Sequence, residues 1–170
     1  MKLKIINENS LPFRNRVEVF AIKDGKLYCG EYEDGTIGVF GGGTDGESLE
    51  DAAKREFNEE TGYKVKNLTK VPVGPIEVLW DKPKSEKQKE RSQDYKGTRT
   101  WYFVADFDDD DKKDKADGED GQHNLKNVGL KTIDDDLISK FGESSDESLA
   151  KQQKARVDVI KWVIDNHKFS

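Results

Sequence analysis

The sequence predicts one domain of the α+β or α/β class, in which a mixed β-sheet lies between helices in an αβα sandwich. Three observations support this. β-prone runs come early in the chain, an amphipathic helix follows in the middle, and a second amphipathic helix comes last. The chain has 170 residues and no internal repeat, which suits a single domain. We therefore expect residues 1–170 to form one layered unit.

Five β-strands are predicted from short runs of β-branched and aromatic residues. Three of them precede residue 41, at 16–22, 26–32 and 36–40. Asp-Gly pairs at 24–25 and 34–35 separate these runs, and such pairs favour hairpin turns because both turn residues must tolerate positive φ. Two further strands are predicted later in the chain: 76–80 and 100–107.

Three helices are predicted from apolar spacing and capping residues. The clearest is 49–61, because Ser48 is a suitable N-cap and Gly62 can end the helix in a left-handed conformation. A short helix is predicted at 134–140. The last helix begins near 145–146, and these residues recur along it at helical spacing: Leu149, Gln153, Arg156, Val157, Ile160, Val163 and Ile164.

Two charged segments are predicted to be mobile loops. Residues 81–99 are rich in lysine and arginine, and residues 106–121 are acidic and nearly free of apolar side chains. The acidic segment lacks the ligand spacing of an EF-hand loop, so we expect no calcium site there. Glu119 and Asp120 are candidates to supply one extra carboxylate to a neighbouring cleft.

Composition excludes several functional classes. With 38% charged residues, a mean hydropathy of -0.92 and no long apolar run, we expect neither a membrane span nor a signal peptide, and a cytoplasmic location. A net charge of -6 argues against wholesale binding to nucleic-acid backbones, including DNA. Cys29 is the only cysteine, which excludes an intrachain disulfide and predicts a buried or idle thiol. His123 and His167 are isolated in sequence and receive no role.

The helix at 49–61 places carboxylates on its apolar face. At about 100° per residue, Glu56 and Glu60 share a sector with Ala53, and Glu59 flanks it. Like charges at i,i+4 repel, and burial of carboxylates is unfavourable unless a cation lies among them. Arg55 can pair with Glu59, but one guanidinium cannot neutralise three carboxylates. The pattern predicts Mg²⁺ or Mn²⁺, and the alternative is an exposed acidic helix with an intrahelical ion pair.

The residues around this helix extend the pattern. Gly41 is followed by five residues, Glu47, seven more residues, and then the run REFNEETGY from Arg55 to Tyr63. This arrangement resembles the Nudix box, the loop-helix-loop signature of the Nudix hydrolases, with every defining position filled at its spacing. One departure is that family members often carry a proline and another glycine before the position of Gly41, where this chain has Val39 and Phe40.

The resemblance implies an enzyme with defined residue roles. Nudix hydrolases cleave a pyrophosphate linkage in a nucleoside diphosphate joined to another group, using divalent ions and attack by water. Glu56 is implied as a ligand or as the general base, and Arg55 would orient the glutamates through Glu47. The implied metal ligands are the Gly41 carbonyl, Glu56, Glu59 and Glu60.

Substrate choice is not determined by the box. Trp80 and Trp101 are candidates for stacking on a base, and Arg14, Arg16 and Arg99 are candidates for contacting phosphates or a purine edge. Core packing of the tryptophans and simple solvent exposure of the arginines are the alternatives. The substrate classes in contention are nucleoside triphosphates, dinucleoside polyphosphates, ADP-ribose or NAD-like compounds, and capped RNA.

Two questions about partners stay open at this point. The basic surplus between Lys82 and Arg99 suits either a clamp for a highly phosphorylated ligand or RNA 5′ end, or a solvated loop. The protein is either a monomer or a homodimer. Besides the enzyme, two other hypotheses apply: a nucleotide-derivative sensor that uses the Nudix fold without turnover, and a structural protein whose acidic helix matches the box by accident.

Overall fold

The computed structural model of the chain describes residues 10–80, 85–110, 125–142 and 146–166. These residues form eight strands and four helices. The strands are β1 (Phe13–Lys23), β2 (Lys26–Glu31), β3 (Ile37–Gly38), β4 (Phe40–Gly43), β5 (Lys64–Lys70), β6 (Ile76–Leu79), β7 (Gly97–Asp108) and β8 (Lys126–Thr132). The helices are α1 (Leu49–Thr61), α2 (Glu86–Arg91), α3 (Asp135–Ser139) and α4 (Glu147–Asn166).

All strands of the described ranges belong to one mixed sheet. Its main order is β3-β2-β1-β7-β5, while β4 pairs with β1, β6 with β7 and β8 with β2. The central pair, β1 and β7, is parallel and runs in continuous register from Phe13 opposite Gly97 to Ile22 opposite Asp106. The other strand pairs are antiparallel. A parallel pair requires a long crossover, and the chain between β1 and β7 includes α1.

A hydrophobic core lies on each face of the sheet. On one face Phe57 of α1 packs in a cluster with Val17 of β1. On the other face Val159 and Ile160 of α4 pack in a cluster with Phe20 of β1. Because side chains alternate along a strand, β1 contributes to both cores. The sheet is therefore flanked by helices on both sides, and the predicted α+β sandwich is confirmed.

The ends of α1 are those predicted from its capping residues. The Ser48 hydroxyl oxygen accepts a hydrogen bond from the Asp51 N–H over 3.2 Å. Gly62 has a φ of 77° and donates its N–H to the Asn58 carbonyl, which is the geometry that favours glycine after a helix. Asp146 caps α4 by accepting the N–H of the residue two positions on. No helix in the described ranges is long and apolar enough to cross a membrane.

Two strands were missed by sequence analysis. In β5 and β8 lysine, asparagine and threonine predominate, so neither segment shows a strong β signal. Both lie at the margin of the described sheet, where β5 pairs with β7 and β8 with β2. Their side chains are mostly exposed or half-buried, so the sheet edge tolerates this polar composition.

The prediction of a continuous loop over 81–99 was wrong. Residues 86–91 form α2, whose glutamate, glutamine, lysine and arginine side chains favour a helix, and β7 begins at Gly97. Residues 106–108 of the predicted acidic loop also belong to β7. The remainder of that acidic segment beyond residue 110, including Glu119 and Asp120, lies outside the described residues, as do 81–84, His123 and His167.

Cys29 lies in the α4-side core and is fully buried. Burial raises the pKa of its thiol to about 12. A thiol with such a pKa holds almost no reactive thiolate at neutral pH. The prediction of a buried thiol is confirmed.

Candidate active site

The glycines of β4 lie where α1 approaches the sheet. The predicted strand at 36–40 is in fact two strands, and the second, β4, continues through Gly43. A Cβ atom on Gly41 would overlap the backbone of Val17, and one on Gly42 would overlap the carboxylate of Glu56. Glycine is therefore required at Gly41, where a Cβ atom would meet backbone, whereas a larger residue at Gly42 would displace the Glu56 carboxylate.

Three glutamates of α1 are arranged around β4. Glu56 and Glu60 are buried, with 6% and 5% of their surface exposed, whereas the side chain of Glu59 is 42% exposed. Glu60 accepts a hydrogen bond from the Gly41 N–H over 3.1 Å. The predicted placement of Glu56 and Glu60 on the inner face of the helix is confirmed.

Arg55 connects the strand, the loop and the helix. Its Nε donates to Glu47 Oε1 over 2.6 Å, and its Nη2 donates to the Gly43 carbonyl over 3.0 Å. Its Nη1 donates to Glu56 Oε1 over 2.9 Å and to Glu59 Oε2 over 3.1 Å. The contacts to Glu47 and Glu59 were predicted from the sequence. The contact to the Gly43 carbonyl depends on how the loop folds back, whereas Glu56 is the next residue on the same helix.

Glu56 has an unusual proton affinity for a carboxyl group. Burial raises its pKa to about 7, the nearby charges of Glu60 and Glu59 act in the same direction, and the Arg55 guanidinium opposes them. The group is therefore close to half protonated near neutral pH. A carboxylate in this range suits proton transfer, and a cation beside it would favour its charged form.

The oxygen atoms around β4 are of the chemical type that binds a hard divalent cation. Carboxylate and carbonyl oxygens are the ligands that Mg²⁺ and Mn²⁺ prefer. Three carboxylates against one guanidinium also leave an excess of negative charge. Within the described ranges, however, no three His, Cys, Asp or Glu side chains are gathered closely enough to hold an ion. The assignment of Gly41, Glu56, Glu59 and Glu60 as ligands therefore stays a prediction.

Two of the candidate substrate-binding arginines lie beside this site. Arg14 and Arg16 are half-buried on β1, and the Arg14 guanidinium lies against Gly43, where a Cβ atom would overlap it. Arg16 Nη1 is 3.9 Å from Glu18 Oε2. Both arginines are therefore close to the strand that carries the Arg55 contact.

The other three candidates are placed differently. Arg99 donates from Nε to Glu77 over 2.7 Å, and its guanidinium lies 5.0 Å from the centre of the Phe13 ring, so this residue is engaged within the protein. Trp101 is half-buried against the α1-side core, opposite Val17 in the sheet. Trp80 is half-buried just after β6. Their roles in substrate binding stay predictions.

Sequence analysis missed a buried ion pair on the α4 side of the sheet. Arg156 donates from Nε and Nη2 to the two oxygens of Glu18, each over 2.8 Å, and from Nη1 to Gln153 over 2.8 Å. Although burial alone would raise the pKa of Glu18, the charge and hydrogen bonds of Arg156 lower it. The signal was available, since Arg156 and Gln153 interrupt the apolar stripe of the last helix as Glu56 interrupts that of α1.

Comparison with known proteins agrees with this architecture. The NUDIX domain family model matches residues 11–152. The Bacillus subtilis pyrophosphohydrolase BsRppH is 22% identical, with 91% of this chain and 84% of that chain covered and a TM-score of 0.57. The MutT protein from Bacillus halodurans is 17% identical, with 92% and 86% covered and a TM-score of 0.57. An ADP compounds hydrolase is 20% identical, with 92% and 76% covered and a TM-score of 0.54.

No curated protein matches the chain. The structural likenesses lie below 25% identity and show that the fold is shared. The family model, in contrast, matches most of the chain, from just before β1, through the Gly41 to Tyr63 segment, and into α4. The chain therefore belongs to the Nudix hydrolases, the pyrophosphohydrolase family that its Gly41 to Tyr63 segment resembles.

Proposed function

We propose that this chain hydrolyses a pyrophosphate linkage in a nucleoside diphosphate joined to another group, with Mg²⁺ or Mn²⁺ as cofactor. The observation that carries the proposal is the set of contacts made by Arg55, which joins Glu47, Glu56, Glu59 and the Gly43 carbonyl. These contacts hold several carboxylates in fixed positions beside the glycines of β4. This supports the proposal because Mg²⁺ is usually held by only one or two protein carboxylates, with substrate phosphates and waters as its other ligands.

The residues of the site divide the chemistry among them. When bound, the ion would offset the negative charge of the phosphate oxygens and lower the pKa of the attacking water. Glu59 and Glu60 would hold it together with the Gly41 carbonyl. Glu56, whose pKa is raised to about 7 by burial, is suited to accept the proton of the attacking water near neutral pH. Arg55 would keep the carboxylates oriented.

A panel of nucleotide derivatives tests the proposal. Wild-type protein, Glu59→Gln and Glu50→Gln are incubated with Mg²⁺ and nucleoside triphosphates, dinucleoside polyphosphates, ADP-ribose, NAD or capped RNA. Glu50 is the matched control because it lies exposed in the first turn of the same helix. Loss of a metal-binding carboxylate should lower turnover by on the order of 100-fold. The control should keep wild-type turnover.

Three outcomes of the panel are informative. Mg²⁺-dependent release of phosphate or pyrophosphate by wild type and Glu50→Gln, lost in Glu59→Gln and in excess EDTA, supports the proposal. Equal turnover in wild type and Glu59→Gln contradicts the site assignment. Tight binding of one compound without any turnover contradicts the enzyme and supports the sensor hypothesis instead.

A further inference from the structure

Arginine side chains gather beside Gly43, on the face of β4 opposite the one that meets Glu56. Arg14 and Arg16 are two residues apart on β1, so their side chains leave the same face of the sheet. Arg91 is the last residue of α2 and is half-buried. The charges of Arg91 and Arg16 both act on Arg14, so each of these cations lies within electrostatic range of Arg14.

Backbone hydrogen bonds hold α2 against the start of β1. The Lys96 N–H donates to the Pro12 carbonyl over 3.0 Å, which fastens the chain after α2 to the residue before β1. The Tyr95 N–H donates to the Arg91 carbonyl over 2.8 Å, which fixes the end of the helix relative to that contact. These bonds hold the segment that follows α2 beside the start of β1, where Arg14 lies.

These arginines have little negative charge to balance them. Among the described residues, Arg14 and Arg91 form no side-chain hydrogen bond or ion pair. Within the same ranges the ion pair of Arg16 is with Glu18, at 3.9 Å, and Arg156 already holds both oxygens of that carboxylate. Asp45 is the acid that acts on Arg14, and it also lies 3.5 Å from Arg55 Nη2.

The arrangement is unfavourable without an anion. Burial, followed by the charges of Arg91 and Arg16, lowers the pKa of Arg14. An arginine nevertheless stays charged at neutral pH, so it cannot relieve the repulsion by losing a proton. Guanidinium groups bind phosphate oxygens in a forked geometry, which makes phosphate the anion that this cluster fits best.

Gly43 lies between this cluster and the proposed catalytic residues. The Arg14 guanidinium lies against Gly43, and the carbonyl of Gly43 accepts the hydrogen bond from Arg55 Nη2 over 3.0 Å. A phosphate chain that extended from the α1 carboxylates past Gly43 would therefore meet Arg14 first, with Arg16 and Arg91 beyond it. A substrate with only two phosphates would have no further phosphate to place there.

We propose that Arg14, Arg16 and Arg91 form a phosphate-binding site for the part of a polyphosphate chain that lies beyond the cleaved linkage. The preferred substrate is then a nucleotide with three or more consecutive phosphates, rather than a sugar nucleotide of the ADP-ribose type. The inference rests on the proposed function for the position of the cleaved linkage, but the anion site itself can be measured without turnover.

Calorimetric titration of EDTA-treated protein with inorganic tripolyphosphate tests the anion site. Arg14→Gln and Arg91→Gln should each weaken binding about 5- to 10-fold, since each removes a charge-assisted contact. Lys23→Gln is the matched control: it removes one positive charge at the opposite end of β1, where Lys23 pairs with Asp109 over 2.6 Å. Arg91 lies on a short helix near the surface, so its replacement should leave the fold intact even if Arg14→Gln does not.

The result separates a site from a general charge effect. Weakening in the arginine variants, with wild-type binding in Lys23→Gln, supports the proposal. Wild-type binding in Arg91→Gln, or equal weakening in all three variants, overturns it.

Steady-state kinetics with ATP and ADP-ribose test the substrate class. Arg91→Gln should lower kcat/KM for ATP about 10-fold and change that for ADP-ribose less than about 2-fold. Equal loss for both substrates overturns the assignment of the arginines to the extra phosphates. If wild type turns over neither compound nor any other of the panel yet binds tripolyphosphate through the arginines, the proposed hydrolysis fails and the anion site stands.

Discussion

Arg55 Nε donates a hydrogen bond to Glu47 Oε1 over 2.6 Å, and this contact ties the loop after β4 to the middle of α1. The same guanidinium also reaches Gly43, Glu56 and Glu59. One side chain therefore sets the distance between the glycine strand and the carboxylates. Removing the guanidinium would leave Glu47 of the loop and two glutamates of α1 without their common hydrogen-bond donor.

Replacing Arg55 by lysine should impair the site without unfolding the protein. Lysine keeps the positive charge but offers one ammonium group, which cannot serve four acceptors in a planar arrangement. We expect kcat/KM to fall about 10- to 100-fold with an unchanged circular dichroism spectrum. Lys54→Ala, at the exposed neighbouring position, is the control and should behave as wild type. Wild-type kinetics in Arg55→Lys would show that the contacts do not orient the carboxylates.

Gly42→Ala should disturb Glu56 directly. The added methyl group would overlap the Glu56 carboxylate, so the side chain or the helix must move. We expect a loss of about 1–3 kcal/mol in the free energy of unfolding, measured by urea denaturation, together with reduced turnover. Gly129→Ala serves as control, because a Cβ atom there meets nothing within 4 Å. The prediction fails if both variants unfold at the same urea concentration as wild type.

The buried pair of Arg156 and Glu18 should be costly to break from one side. Arg156→Met leaves the Glu18 carboxylate buried without its partner, and such a change costs about 3–5 kcal/mol. Adding Glu18→Leu should restore much of that loss, since no charge is then buried. Unfolding free energies from urea titration give both numbers. Lys154→Met, which removes an exposed ion pair with Asp158 on the same helix, should cost less than about 1 kcal/mol.

The stability of the metal-free protein should fall as pH rises from about 4.5 to 7. Burial raises the pKa of Glu56 from its ordinary 4.5 to about 7, so in this window the folded protein retains a proton that the unfolded chain has released. Each pKa unit is worth about 1.4 kcal/mol, so the loss due to Glu56 is about 3 kcal/mol. It is complete above pH 7, where both states have lost the proton.

Urea denaturation in EDTA at several pH values measures this effect as the difference between wild type and Glu56→Gln. The variant cannot titrate at this position, so its stability should lack that part of the pH dependence. Added Mg²⁺ should reduce the loss in wild type, because a cation favours the charged carboxylate. Parallel stability curves for the two proteins would show that Glu56 titrates near its ordinary pKa.

Several elements could be predicted from the sequence because their signals are local. Helix α1 carries its own caps, Ser48 and Gly62, and its own acidic face, so its bounds and the inward placement of Glu56 followed from spacing alone. The edge strands β5 and β8 could not be predicted, since polar residues there are tolerated only because the sheet margin leaves them exposed. Helix α2 was not predicted, because its segment is highly charged and has no apolar residues at helical spacing.

The sequence by itself determined the family, because the residues of the box follow one another within one loop and one helix. Only the tertiary structure decided which distant residues meet them. The parallel pairing of β1 with β7, the pairing of Glu18 with Arg156 across 138 positions, and the position of Arg14 against Gly43 all depend on sheet topology. Contacts of that kind are set by how strands are ordered, which no local spacing encodes.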